Sequence, residues 1–286
     1  MEGGRGFASI NETIHFLMKK ISSEDLKSIQ TNILNEIHEI CIEIGIKYTL
    51  AYGTLIGAVR HGGFIPWDDD IDLLMFAEDF DKLVGYYRDH STKFRIAHYD
   101  TMGSRYRKLH AKVYDPNTTI DEHNSKTSGI GVNIDILILH NIGNSEQEAV
   151  RNFNRIRFGI ESIIASNWNK YEINHSKSVV YNCAKLFFYV MGKIIPYSFL
   201  YERTIKRLRS FGDHTKYVIS LGSPYRTIDI HDRKMFENLT KISFENNSYY
   251  AIEAYDSFLG KLYGDYMKLP SEEKRVTHHD FIPYYK

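Results

Sequence analysis

At 286 residues the chain can bury a sizeable core, as one large domain or as two modest ones. Lys plus Arg (36) equals Asp plus Glu (36), so no global positive field gathers nucleic acid, and 43% apolar with 25% charged residues is ordinary for a soluble globular protein. Only Cys41 and Cys183 occur, which excludes a disulfide framework or a cysteine-rich zinc site and reads as two reduced, packed thiols of a cytoplasmic protein.

The first 22 residues hold no apolar run of signal-peptide length, so no secretion is expected. Residues 1–21 read as loosely structured, with Gly3, Gly4 and Gly6 early. Ser22 and Asp25 then mark a helix start at near capping-box spacing. Leu26, Ile29, Ile33, Ile37, Ile40 and Ile44 follow at steps of three and four, and Gly45 closes the run, so the spacing predicts an amphipathic helix of about 20 residues. Residues 46–52 (IKYTLAY) read as a strand entering Gly53-Thr54, with a short apolar helix over 55–59. Such a turn presents backbone N–H groups at a helix N-terminus, where phosphate binds well. Gly53 and Thr54 are candidates for that contact, and Arg60 and His61 add charge there. Most glycine turns serve only the chain reversal, so this one gains weight from the acids that follow.

Asp68, Asp69, Asp70 and Asp72 put four carboxylates within five residues, among Trp67, Ile71, Leu73, Leu74 and Met75. Residues 65–75 are otherwise apolar and suit a buried strand, on which Asp70 and Asp72 leave the same face about 7 Å apart. Asp68 joins them if the strand starts early enough. Two unit charges about 4 Å apart cost roughly 4 kcal/mol at an effective dielectric of about 20. A cluster of this kind calls for a cation between the acids or for a protonated member, and all-oxygen ligation favours Mg²⁺, Mn²⁺ or Ca²⁺ over zinc. A solvated acidic loop is the plain alternative, against which the apolar neighbours stand. The twelve-residue calcium-loop pattern is missing.

Residues 77–90 suggest a surface helix and 94–99 a strand. Residues 105–115 (RYRKLHAKVYD) alternate as a further strand with Lys108, His110 and Lys112 on one face, either solvated or placed to neutralise an anionic substrate. A short strand is expected over 118–121. Residues 129–139 form a strongly apolar strand interrupted by Asp135, an expensive position unless the acid is paired or metal-bound. Beside the Asp70/Asp72 strand, Asp135 would complete a three-carboxylate site; the alternative is an acid reaching an arginine or the strand end.

Beyond a soft boundary near residue 140 the pattern turns helical, over 146–167 and 178–200. The latter is very apolar but interrupted by Lys185, Lys193 and Pro196, so it reads as a buried helix or as an interfacial one lying on a membrane. Tyrosines are abundant, and the tail carries several before His278-His279, which cannot both face one metal from a strand.

Gly53-Thr54, then Asp70-Ile71-Asp72, then Asp135 resemble the nucleotidyltransferase superfamily of the polymerase-β type. More narrowly, Tyr52 through Leu73 (YGTLIGAVRHGGFIPWDDDIDL) is similar to the signature of the LicD family of bacterial phosphocholine transferases, to which fukutin-related ribitol-phosphate transferases are related. Ala111-Lys112-Val113 before Asn117-Thr118-Thr119, and Tyr263 to Pro270 with Arg275 and His278, agree with it. The resemblance implies an α+β fold: a polymerase-β-like core with a mixed sheet over 22–140, and a mostly helical part over 141–286 that binds acceptor and headgroup. It implies transfer of a phospho-headgroup, phosphocholine from CDP-choline, to a glycan hydroxyl with release of CMP. Asp70, Asp72 and Asp135 would hold Mg²⁺ (or Mn²⁺), and Asp68 or Asp135 would accept the hydroxyl proton. Gly53, Thr54, Arg60, Lys112 and His278 would contact the donor, and an aromatic box in the Tyr-rich second half would receive choline. A CDP-alditol donor, a nucleotide-sugar glycosyltransferase reading of the Asp-x-Asp motif and a glycan-binding protein with a dead site are the competing readings. The enzyme is expected in the cytoplasm, at the inner face of the membrane if 178–200 is interfacial.

Overall fold

The computed structural model describes residues 18–277 and 281–286; the glycine-rich opening stretch and His278 lie outside them. Ser22 starts α1 (Ser23–Glu43), its hydroxyl accepting from the Asp25 N–H at 3.0 Å. Leu26, Ile33, Ile37 and Ile40 of the stripe that the spacing predicts are buried, joined by Leu34. Then follow β1 (Thr49–Leu50), α2 (Tyr52–His61), β2 (Asp72–Phe76), α3 (Ala77–Asp89), β3 (Arg95–Ala97), the short α4 (Tyr99–Met102), β4 (Ala111–Tyr114), β5 (Thr118–Glu122) and β6 (Asn133–Gly143). The chain continues through α5 (Glu146–Ser166), α6 (Val179–Ile194), α7 (Tyr197–Arg209), β7 (Tyr217–Ser220), β8 (Ile230–Asp232), β9 (Leu239–Phe244), β10 (Asn247–Ile252), α8 (Tyr255–Tyr263) and β11 (Phe281–Tyr285).

The architecture is a mixed α+β one. Its main sheet runs β1-β2-β6-β4-β3, with β7 beside β6 and β8 beside β7. β2 and β6 are parallel and the other pairs antiparallel. β6 is the spine: β2 and β4 flank its first half and β7 its far end. Its near-continuous apolar run is what a strand covered on both faces requires. α1, α2, α3 and β2 share the larger core, while α5 and α7 build a second one with Ile142 and Ile219. Smaller antiparallel pairs, β9–β10 and β5–β11, complete the fold.

Several elements depart from the sequence reading for local reasons. The strand expected over 46–52 is only Thr49–Leu50, and α2 starts at Tyr52, which takes the left-handed conformation (φ +46°). Gly53 therefore lies inside the first helical turn. The acid strand begins at Asp72 instead of residue 65, because the Asp68 N–H donates to the Ile65 carbonyl and closes a turn. Asp68, Asp69 and Asp70 thus precede the strand, and strict alternation does not place them. The strand expected over 105–115 shrinks to Ala111–Tyr114, leaving Lys108 and His110 ahead of it. The single helix expected over 178–200 breaks at Ile195-Pro196 into α6 and α7, bent by 108°. The part from 141 onward is helical as far as Arg209, then supplies strands, two of them to the main sheet.

Gly57 lies where the 62–65 segment folds back over α2, and a Cβ there would run into the Gly63 carbonyl oxygen, a backbone atom that cannot swing aside. Gly57→Ala is expected to destabilise the protein by about 1–3 kcal/mol, read from urea unfolding.

Candidate active site

The strand registers place Asp72 directly opposite Asp135 across the parallel β2–β6 pair, and Asp135 opposite Lys112 across β6–β4. Directly opposed residues share a sheet face, so Asp72, Asp135 and Lys112 form one row. Lys112 is 7% exposed and donates to Asp135 Oδ1 at 2.6 Å and to Asn133 Oδ1 at 2.7 Å. Burial alone would raise the Asp135 pKa, but the charges of Lys112, His110 and Lys108 outweigh it and hold the carboxyl well below the usual carboxylate range. Burial likewise opposes the Lys112 charge, yet Asp135 and Glu122 carry that pKa above its ordinary value.

Asp72 is treated differently by its surroundings. Its carboxyl keeps some open surface, but protein crowds it closely. Burial first, then the charges of Asp70, Asp135 and Asp68, push its pKa well above the ordinary value, and Lys112 offsets only part of this. His110 Nε2 lies 3.2 Å from Asp135 Oδ2 without a hydrogen bond, and burial lowers that imidazole to about 4, so it is neutral at pH 7.

Neighbouring elements pin this row. Thr54, in the first turn of α2, accepts the Asp72 N–H on its hydroxyl at 2.8 Å, and the Ala51 N–H donates to the Asp72 carbonyl. A Cβ on Gly53 would stand 2.7 Å from Asp68 Oδ2, so glycine is what lets the Asp68 carboxylate close over the start of α2. Gln30 of α1 donates through Nε2 to the carbonyls of Asp69 and Asn133, fastening the acidic turn to β6. Its own Oε1 is buried without a partner. Asp70, Asp135, Lys112, Lys108, His110 and Gln30 line a cavity of about 380 Å³. Lys108 is held there by Glu122 at 2.8 Å.

On the other side, Tyr52 reaches from α2 into the second half of the chain. Its hydroxyl donates to Asp229 Oδ2 at 2.6 Å, and His231 Nε2 stands 2.8 Å from Asp229 Oδ1, with both partners' side chains only 1% exposed. The Tyr225 ring stacks on Tyr52 at 5.9 Å between centroids, and Tyr263 meets Tyr225 edge-on at 5.6 Å. Burial foremost raises all three phenol pKa values, and the Asp72 carboxylate adds a smaller push to each.

The structure therefore gathers Gly53, Thr54, Asp68, Asp70, Asp72, Asp135 and Lys112. Arg60 stands apart. It sits roughly 9 Å farther along the α2 axis than Thr54 and donates to the Tyr266 carbonyl at 2.6 Å. Lys112, expected against a donor's phosphates, instead occupies Asp135. Sequence reasoning passed over Gln30, Asn133, Glu122 and the Tyr52–Asp229–His231 chain. Asn133, two residues before Asp135 on one strand face, carried a usable signal; contacts across more than a hundred residues did not.

Among the described residues no three His, Cys, Asp or Glu side chains converge on one point, and Lys112 holds one Asp135 oxygen. The chemistry of the donors nevertheless suits a hard divalent ion: Asp72 is surrounded by like charges that such an ion would relieve.

An acid row with lysines beside it, on a mixed sheet and set against the start of a glycine-containing helix, makes a polar, charge-handling site rather than a hydrophobic binding pocket. Residues 45–159 match the family model described as LicD/FKTN/FKRP, nucleotidyltransferase domain. Residues 45–159 thus form a LicD-family domain. It is 27% identical over 266 residues to the lipopolysaccharide cholinephosphotransferase LicD of Haemophilus influenzae, an alignment covering 92% of this chain and 97% of that protein. A shorter stretch is 54% identical over 35 residues to the ribitol 5-phosphate transferase FKRP of Homo sapiens, covering 12% of this chain and 7% of that protein.

Removing the Lys112 charge leaves Asp135 buried and unpaired. Lys112→Met is expected to cost about 3–5 kcal/mol, and Asp135→Asn on top of it to recover part of that loss, both read as a double-mutant cycle in urea. Because the Asp135 pKa is depressed, the pair's contribution is complete above about pH 4, the unfolded value, and is lost as pH falls through the folded value.

Proposed function

We propose that this protein transfers a phospho-headgroup, phosphocholine from CDP-choline, to a hydroxyl of a cell-surface glycan such as lipopolysaccharide, teichoic acid or capsule, releasing CMP. The observation that carries this reading is the Asp72–Asp135–Lys112 row beside a cavity lined by Asp70, Lys108 and His110. The likeness to a cholinephosphotransferase over most of both chains supports it. In this reading residues 22–140 form the polymerase-β-type catalytic core, and residues 141–286 supply acceptor and headgroup contacts.

Asp70, Asp72 and Asp135 would hold Mg²⁺ or Mn²⁺, whose charge offsets that of the donor's diphosphate as the bond to CMP breaks. The acceptor oxygen attacks the headgroup phosphorus, the phosphorus–oxygen bond to CMP breaks, and a carboxylate takes the hydroxyl proton. Asp68 suits that base role better than Asp135, which Lys112 makes a weak proton acceptor. Thr54 orients Asp72 through its N–H, and Lys108 and Lys112 bring positive charge to the cavity wall. The clustered Tyr52, Tyr225 and Tyr263 rings supply faces of the kind that attract a quaternary ammonium group. The match to a ribitol 5-phosphate transferase favours a second donor, a CDP-alditol, at the same site.

Incubation with Mg²⁺, a glycan acceptor and CDP-choline, CDP-ribitol or UDP-sugars is expected to release CMP from CDP-choline. Release of UDP and never of CMP would overturn the reading. Asp70→Ala or Asp72→Ala is expected to lower turnover by about a thousandfold or more with the fold intact by circular dichroism; activity within a few-fold of wild type is incompatible with the metal role. Tyr225→Ala is expected to raise KM for CDP-choline about tenfold, the equivalent of one desolvated cation–π contact, while leaving KM for CDP-ribitol unchanged.

A further inference from the structure

α6 is an apolar helix that the fold leaves uncovered. Of its sixteen residues only Gly192 is buried, while Val179, Val180, Phe187 and Ile194 are 78%, 79%, 49% and 68% exposed. Its charged residues are two lysines, and both turn back toward the loop after α5. Lys185 Nζ lies 5.0 Å from the Trp168 ring centroid and donates to the Glu172 carbonyl, and Lys193 donates to the Trp168 carbonyl. The outer face, stepping through Val179, Cys183, Leu186, Phe187, Val190 and Ile194, is left without charge.

This face runs into a groove. Phe187 meets Phe158 of α5 at 6.2 Å between centroids, and Phe158 lines a cavity of about 750 Å³ between α5 and α7. Arg155, Arg203, Lys206 and Arg207 line the same cavity, all four exposed, and no acid does. Among the described residues none of the four makes an ion pair. On a chain with equal numbers of acids and bases, a cluster of unpaired cations beside an uncharged apolar face is a local arrangement.

No single helix among the described residues is long and apolar enough to cross a membrane. We propose that the α5–α6–α7 face docks on the surface of an anionic phospholipid bilayer, with the outer face of α6 lying among the acyl chains near the headgroups and the α5–α7 groove receiving lipid phosphate. An apolar face with lysines drawn to its edge and arginines beside it has the chemistry of an interfacial helix. A second copy of this chain is a poorer occupant, because a two-fold contact sets the patch against itself and would bring the four cations of each copy together.

The test is flotation of the full chain with vesicles of phosphatidylcholine alone, and with vesicles in which phosphatidylglycerol replaces a third of it. Binding is expected to be at least about tenfold stronger to the anionic vesicles at low salt and to weaken as salt is raised. Phe187→Glu, or Val180→Glu should the first variant fold poorly, is expected to reduce it about tenfold, and Arg203→Glu with Arg207→Glu to remove the anionic preference. Equal binding to both vesicles at low salt, or binding indifferent to both sets of substitutions, overturns the proposal. So does a dimer in sedimentation that Phe187→Glu dissociates. CMP release with a water-soluble acceptor is expected to be unchanged in Phe187→Glu, so a failure of docking is distinguishable from a failure of the transferase reading.

Discussion

Two carboxylates face each other across adjacent parallel strands, and Lys112 is what makes that tolerable. Asp135 cannot leave its place in β6, the strand around which the sheet is assembled, and Asp72 is fixed opposite it by register. Lys112, with His110 and Lys108, holds Asp135 far into its ionised form, while burial and the neighbouring acids leave Asp72 resisting ionisation. The division of roles between the acids therefore comes from where the basic groups stand, against Asp135 and short of Asp72. An ion entering the site would meet an Asp135 oxygen already engaged by that lysine and an Asp72 still short of positive charge.

Around the row, the chain uses backbone contacts where side chains would be too compliant. Gln30 grips two carbonyls, Thr54 takes the Asp72 amide, and Gly53 makes room for Asp68. Gln30 and Thr54 thereby hold a turn and a strand end through backbone groups instead of through a carboxylate. Tyr52 adds a tether from the other direction, its backbone in the left-handed region and its hydroxyl on a buried carboxylate. A non-glycine residue in that conformation costs on the order of 1 kcal/mol or more, which the hydrogen bond and the stacked Tyr225 ring help offset.

What was legible in the sequence follows from what is local. α1 was readable from Ser22 and its isoleucine ladder, α3 from its apolar stripe, and β6 from an apolar run that only a doubly covered strand tolerates. Asp135 stood out because an acid among isoleucines needs a reason, and its place next to Asp72 followed from that need. The Lys112 partner is hidden because the basic row reads as one continuous strand, whereas the backbone becomes extended only at Ala111. Arg60 looked close to Gly53 in sequence, but a helix carries it along the axis to another neighbour. The clustered tyrosines come from three separate elements, and nothing local in the tail distinguishes Tyr225 or Tyr263 from its other aromatic residues. Pro196 announced the break between α6 and α7; the bend between them is set by packing on α5.

The tie between Tyr52 and Asp229 spans 177 residues of chain and ends on a histidine sealed from water. In a collection of inactive alleles, missense changes at 229 or 231 would fall into the same phenotypic group as changes in the glycine motif, although a linear map sets them at opposite ends of the gene. An acid and an imidazole in the tail would thus be inherited as part of the glycine motif they never touch in sequence.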